Sequence, residues 1–360
     1  MTGATTEQFA KKTEIALVLQ GGGALGAYEW GGIEALFELL KRAKSAQHDM
    51  TLRVVTGVSV GAINAACIVG ADDKKDPLTR LEDLWNDFII KAPAFLPNAV
   101  TANLALFAVP HFYKFAPAWD LTYLYQTTEL LETLRKHVNF AALNDSATAF
   151  VVTAVDVEKG QLTWFANQQV GEIVPRTIEP KHVLASGSLA PQFPATQVGE
   201  GANAPSYWDG GIIDNTPIGA AIDALDADPD VGKLLVVMNL FPLESRPPRS
   251  YVEVNERVDQ LRFGNRLRQD TSVAKQFNKL IKAIKRAAEN IPDPPPDLRN
   301  ILNDYKVVEP IEITLGPEDS LNDPYGFRDF SQQGIMRRRE LGKAITLAKL
   351  KQYFPANLAA

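Results

Sequence analysis

Along the 360-residue chain, apolar positions fall into two periods. Continuous apolar runs at 14–19, 52–56, 149–155 and 234–239 have the length and the Val, Leu and Ile content of strands buried on both faces. Segments 26–44, 60–70, 78–90, 127–137 and 217–226 instead space their apolar residues as helices do. This alternation predicts a mostly parallel central sheet with helices on both faces, a three-layer α/β/α fold. There is no internal repeat, and Pro292-Asp293-Pro294-Pro295-Pro296-Asp297 reads as a loop or hinge.

Two segments break the pattern. Ala92 to Tyr125 is rich in Phe, Leu, Ala, Pro and Tyr without a clean period, which suits an irregular cap or acyl-chain channel as well as a loop-rich piece of core. In 250–290, Val273, Phe277, Leu280, Ile281, Ile284 and Ala288 make one helical stripe, predicted to pack on the sheet domain with a solvated outer face. Residues 251–290 hold nine Lys or Arg against five acids, so docking on an anionic membrane is the competing expectation.

The chemistry sits at the turns. In Arg53-Val54-Val55-Thr56-Gly57-Val58-Ser59-Val60-Gly61-Ala62, a strand turns sharply into a small-residue helix. Gly57 and Gly61 leave room for a strained backbone that presents the Ser59 oxygen at a helix N-terminus, as a nucleophile elbow does. An ordinary capped turn fits the five residues equally well. Upstream, Gly21, Gly22 and Gly23 follow another strand, and their successive N–H groups can face an anion, either a phosphate or an acyl-transfer oxyanion.

Gly21, Gly23 and Gly26 also fit the dinucleotide fingerprint, but the acid it needs about 20 residues on, at the end of the second strand, is missing. Asp49 precedes that strand. The third element is Asp209-Gly210-Gly211, ordinarily a turn. If it faces Ser59, Asp209 is the candidate general base. Thr216 and Pro217 read as the cap and first residue of the next helix, with Asp214 a lower-ranked carboxylate beside it. The histidines are His48, His111, His137 and His182, none after Asp209, so the usual order of serine, acid and histidine fails. His182 reads as a capping or packing residue, and a Ser-Asp dyad is the simpler arrangement.

Together these motifs resemble the patatin-like phospholipases, from residue 13 to about 350. The likeness runs from Gly21-Gly22-Gly23-Ala24-Leu25-Gly26 through Gly57-Val58-Ser59-Val60-Gly61 to Asp209-Gly210-Gly211, and extends into Leu184 to Pro194 and Asp329-Phe330-Ser331. It implies a catalytic core at 13–245 and a helical extension at 246–360 packed on it. It also implies a lipid or acyl-ester substrate, no cofactor, and two-step acyl transfer. Ser59 would be the nucleophile, Asp209 the base and Gly21 to Gly23 the oxyanion hole. Gln20 stands where many members have Asp, and Leu25 where plant-type members have Arg; neither change removes a backbone donor. The rival from another class is a non-catalytic lipid- or nucleotide-binding module that kept the turns.

Composition narrows the field. A net charge of −6 argues against nucleic acid as the main partner. Lys41-Arg42 and Arg337-Arg338-Arg339 read as solvated helix faces. Cys67, alone, reads as a buried small hydrophobe, and the His and Cys spacings fit no metal site. Met1 to Lys12 lacks the apolar run of a secretory signal, and no segment has the run of about 18 apolar residues that spans a bilayer. The expectation is a cytoplasmic protein whose membrane contact, if any, is peripheral.

Overall fold

The computed structural model describes residues 12–71, 75–90, 114–115, 123, 125–201, 203–228, 230–288, 291–317, 319 and 326–354. The chain order is β1 (Lys12–Leu19), α1 (Gly26–Ser45), β2 (Asp49–Gly57), α2 (Val60–Val69), α3 (Pro77–Phe88), β3 (Lys114–Phe115), β4 (Tyr125–Gln126), α4 (Thr128–His137) and α5 (Phe140–Asn144). It continues with β5 (Ala149–Asp156), β6 (Gln161–Ala166), α6 (Pro180–Ser186), β7 (Thr196–Gln197), β8 (Ser206–Asp209), α7 (Ile218–Asp223) and β9 (Gly232–Asn239). The last elements are α8 (Tyr251–Ala288), α9 (Pro296–Asp304), β10 (Pro310–Thr314) and α10 (Gln332–Leu350). Apart from β3, Tyr123 and the first residue of β4, the segment 92–125 lies outside the described residues, as do residues 1–11.

The central sheet has the order β10-β9-β1-β2-β5-β8-β7, with β6 on the other edge of β5. Neighbours from β10 to β5 are parallel, whereas β6, β8 and β7 join antiparallel. Because side chains alternate across a strand, β1 feeds two cores. Ile15, Leu17 and Leu19 join α1, α2, α3 and α10 on one face, while Ala16 and Val18 meet Ile218 and Ala221 of α7 and Leu267 of α8 on the other. These are the three layers expected from the alternation. Among the described residues no helix is long and apolar enough to cross a membrane.

The thick layer depends on the crossing of α1 and α10. A Cβ on Gly31 would lie 1.8 Å from the Arg339 carbonyl oxygen, and one on Gly342 would lie 1.9 Å from that of Tyr28. Backbone therefore meets backbone at this crossing. Arg339 bonds the Glu34 carboxylate and lies 4.0 Å over the Trp30 ring, and buried Arg338 donates to the Asp329 carbonyl at 2.6 Å. This corrects the reading of 337–339 as a solvated face: two of its three arginines anchor α10.

Two other expectations change. Pro296 and Asp297 open α9, so the Pro-rich hinge is shorter than 292–297. In α8, Val273, Phe277 and Leu280 face solvent, whereas Ile281 and Ala288 are buried and Ile284 is half-buried. The buried row runs through Gln260, Gly264, Leu267, Thr271 and Asn278, all but Leu267 small or polar. A Cβ on Gly264 would meet the Phe241 carbonyl oxygen at 2.7 Å, and Asn278 Nδ2 donates to Val308 O at 3.0 Å. The apolar stripe thus straddles the edge of the buried face, with Val273, Phe277 and Leu280 on its solvent side.

Gly342→Val should cost at least about 2 kcal/mol in urea denaturation, because neither backbone can retreat from the added side chain. Wild-type stability in that variant would contradict the close crossing.

Candidate active site

Strand β5 acts as a ruler for the site. Both β2 and β8 pair with the edge of β5 opposite β6: Gly57 lies across from Val152, and Asp209 across from Ala154. Where β2 stops, β8 takes over the same edge from the other direction. The end of β8 therefore meets the turn that leaves β2, about 7 Å along the strand. Gly210 is required there, since a Cβ would sit 2.6 Å from the Thr153 carbonyl oxygen.

Ser59 stands on that turn with φ 54° and ψ −123°, a left-handed conformation that is strained for a residue with a Cβ. The surroundings impose it. Ser59 N–H donates to both the carbonyl and hydroxyl oxygens of Ser186, each at 3.1 Å. A Cβ on Gly57 would lie 2.5 Å from Gly61 O, and one on Gly61 would lie 2.5 Å from Leu19 O. Both glycines thus let β1, β2 and α2 close together beneath the serine.

The Ser59 hydroxyl donates to the Asp209 carboxylate, which also accepts from Gly211 N at 2.8 Å. Asp209 N–H in turn donates to Ser188 O at 3.0 Å. Burial pushes the Asp209 carboxyl up to about 7, against the lowering effect of those two hydrogen bonds. A carboxylate with two donors and no cation in direct contact is still a desolvated one.

The glycine run lies beside this pair, but its three members differ. Gly21 N–H donates to Asn215 Oδ1 at 3.0 Å, and Asn215 Nδ2 donates back to Gly21 O at the same distance. The Gly21 amide is thereby occupied, unlike the expectation of three open donors. The half-buried N–H groups of Gly22 and Gly23 have no acceptor among the described residues. Gly23 has φ 54°, and a Cβ there would meet Phe327 O at 2.5 Å, so this turn also demands glycine.

Gln20 adds a second tie. Its Nε2 donates to Thr216 Oγ1 at 2.6 Å, and its Oε1 accepts from Leu240 N at 2.8 Å. An amide can do both; an ionised carboxylate has no proton to give. Thr216 is thus occupied by Gln20, and α7 begins at Ile218 with Pro217 as its cap, one residue later than expected. Asp214 caps its own loop by accepting from Thr216 N at 2.9 Å. Neither Asn215 nor the donor–acceptor role of Gln20 is marked in the sequence beyond their places next to the glycine motifs.

Beneath the elbow, Asn64 of α2 donates to Gly26 O at 3.1 Å and to Glu29 Oε2 at 3.0 Å, and accepts from Trp85 Nε1 at 3.0 Å. Full burial holds the Glu29 carboxyl well above its usual range, against the lowering effect of the Asn64 hydrogen bond.

Other candidates lie elsewhere. His182 Nδ1 accepts from Glu179 N at 3.0 Å in a capping box, and His137 Nε2 is 2.7 Å from Asp87 Oδ2. His111 lies outside the described residues. Cys67 is buried in α2, its thiol pushed up to about 12. Asp49 begins β2, at the opposite end of the strand from the glycine turns, so it is not placed to hold a ribose there. No cluster of three or more metal-ligating side chains occurs among the described residues.

The fold and site define an α/β protein with a strained serine on a strand-to-helix turn at the carboxyl edge of a mostly parallel sheet. A family model, Patatin-like phospholipase, matches residues 17–222, more than half the chain. The chain belongs to the patatin-like phospholipase family, whose members are lipid acyl hydrolases. No curated protein matches it. Among solved structures it is similar to VipD from Legionella pneumophila, with 16% identity over 93% of this chain and 67% of that one, at a TM-score of 0.33. It is also similar to the ExoU-SpcU complex of the Pseudomonas aeruginosa type III secretion system, with 16% identity over 82% of this chain and 66% of that one, at a TM-score of 0.30. The chain thus spans about two thirds of the length of each.

Asn215→Ala should leave the buried N–H and carbonyl of Gly21 unpaired and cost about 1–3 kcal/mol in denaturant unfolding. An unchanged midpoint would mean that the glycine turn does not need this tie.

Proposed function

We propose that the protein is a serine-dependent lipid acyl hydrolase of the phospholipase A, lysophospholipase or carboxylesterase type. In this reading Ser59 is the nucleophile, Asp209 the general base, and the N–H groups of Gly22 and Gly23 the oxyanion hole. Residues 13–245 would form the catalytic core, with 246–360 as a mostly helical extension that also adds β10 to the edge of the sheet. The carrying observation is the hydrogen bond from Ser59 to a buried carboxyl whose affinity for protons is raised to about 7. An ordinary aspartate, titrating near 3.9, is a poor base at neutral pH; this one is half-ionised there and nearly matched to the task.

The Ser59 oxygen attacks the ester carbonyl carbon as its proton passes to Asp209. Negative charge develops on the former carbonyl oxygen, where the free glycine N–H groups and the N-terminus of α2 stabilise it. Collapse breaks the ester bond, and Asp209 returns the proton to the leaving alcohol, leaving the acyl group on Ser59. Water then attacks the acyl carbon and gives its proton to Asp209. The second collapse releases the carboxylic acid, and the proton goes back to Ser59. A binding module would need neither the strained serine nor the base-like carboxyl, and both features favour the hydrolase.

Labelling with a fluorophosphonate probe tests this reading. Wild type should label, Ser59→Ala should not, and Asp209→Asn should label more slowly by about 100-fold or more. Unlabelled, folded wild type would move the reading to the binding module. With a soluble short-chain ester, kcat/KM should be flat above about pH 7 and fall about tenfold per unit below it, as the base takes up its proton. A profile flat down to pH 5 would exclude Asp209 as the base.

A further inference from the structure

The solvent side of α8 carries two separate apolar patches. Tyr251, Val254, Val258 and Leu261 are exposed in its first half, and Val273, Phe277 and Leu280 in its second, with Tyr251 at 82% and Leu280 at 55%. At helical spacing the first four lie roughly opposite the row that packs on the core, whereas Val273, Phe277 and Leu280 lie on its flank, about a quarter turn round. Tyr305 stacks on Phe277 and is itself exposed, which widens the second patch. Exposed apolar residues scattered singly need no explanation, but a cluster of four such side chains does.

The charge on the same helix is equally one-sided. From Arg262 to Ala288 there are eight lysines and arginines and one acid, Asp270, in a chain whose net charge is −6. Arg268, Lys275 and Lys279 are exposed on the other solvent flank of the same segment. Such a segment suits an interface of apolar tails and anionic headgroups. A second copy centred on the Phe277 patch would bring two strongly basic segments together, and a nucleic acid would leave the apolar patch uncovered. Charge complementarity therefore selects a membrane surface.

The helix is also joined to the site. Gly264 packs on Phe241, whose ring borders Gly22 at the glycine turn, and Arg266 and Asp270 act electrostatically on Asp214 in the loop after Asp209. We propose that the outward face of α8 docks on an anionic lipid bilayer and so holds the carboxyl edge of the sheet near its substrate. The lipid-hydrolase reading explains why a bilayer would be met; the docking itself does not require turnover.

Co-sedimentation of the full chain with phosphatidylcholine vesicles, with and without an anionic phosphatidylglycerol component, tests the proposal. Wild type should bind the anionic vesicles preferentially, and salt should weaken binding. Arg268→Gln/Lys275→Gln/Lys279→Gln should lose affinity by about 100-fold, at about 1 kcal/mol per cation near the surface. Phe277→Ser/Leu280→Ser should lose the apolar part of binding, and both variants should cleave a soluble monomeric ester as wild type does. Wild type that ignores anionic vesicles, or variants that bind like wild type, would overturn the proposal. Self-association abolished by Phe277→Ser/Leu280→Ser without vesicle binding would assign the face to a second copy instead. Protein that binds vesicles but cleaves no ester would support docking and count against the hydrolase reading alone.

Discussion

The site depends on one shared strand edge. Because β2 ends at Gly57 and β8 arrives antiparallel along the same side of β5, residues 150 positions apart in sequence are set by the register of a single strand. Hydrogen-bonded pairing fixes position to a fraction of a residue, since a slip by one would turn every side chain of β8 to the other face. That precision lets a four-residue strand deliver Asp209 to Ser59.

Position alone would not make the pair reactive. Asp209 is buried with two hydrogen bonds, which leaves its charged form poorly solvated and its proton affinity high. Ser59 is held in a costly backbone conformation by tight glycine contacts and by Ser186. The adjoining turns are tied to each other through Asn215 and Gln20, which engages the Gly21 amide and leaves those of Gly22 and Gly23 in place and open. In the proposed hydrolase these groups would be set by the fold before substrate arrives, so little reorganisation would remain for the reaction itself.

Much of this was legible in the sequence where local physics decides. The apolar runs of β1, β2, β5 and β9 and the glycines around Ser59 each have a local cause, and their boundaries in the structure fall within a few residues of the expectation. What escaped were features decided by distant partners. The strands β6, β8 and β10 are too short to show a period, and Asn215 reads as one more turn residue until Gly21 is seen beside it. Gly21 looks like an open donor for the same reason. In α8 one apolar stripe straddles the edge of the buried face, and only the tertiary contacts at Gly264 and Asn278 show which part of it is inside. Arg338 and Arg339 likewise read as surface charge because Asp329, Glu34 and Trp30 are remote in sequence.

The hydrolase reading requires a covalent acyl intermediate on the Ser59 oxygen. Acid-quenching the protein during turnover of an activated acyl ester, followed by peptide mass spectrometry, detects it. In wild type a peptide containing Ser59 should carry the mass of the acyl group, and in Ser59→Ala no peptide should. An adduct on another residue, or ester turnover that persists in Ser59→Ala, would contradict it.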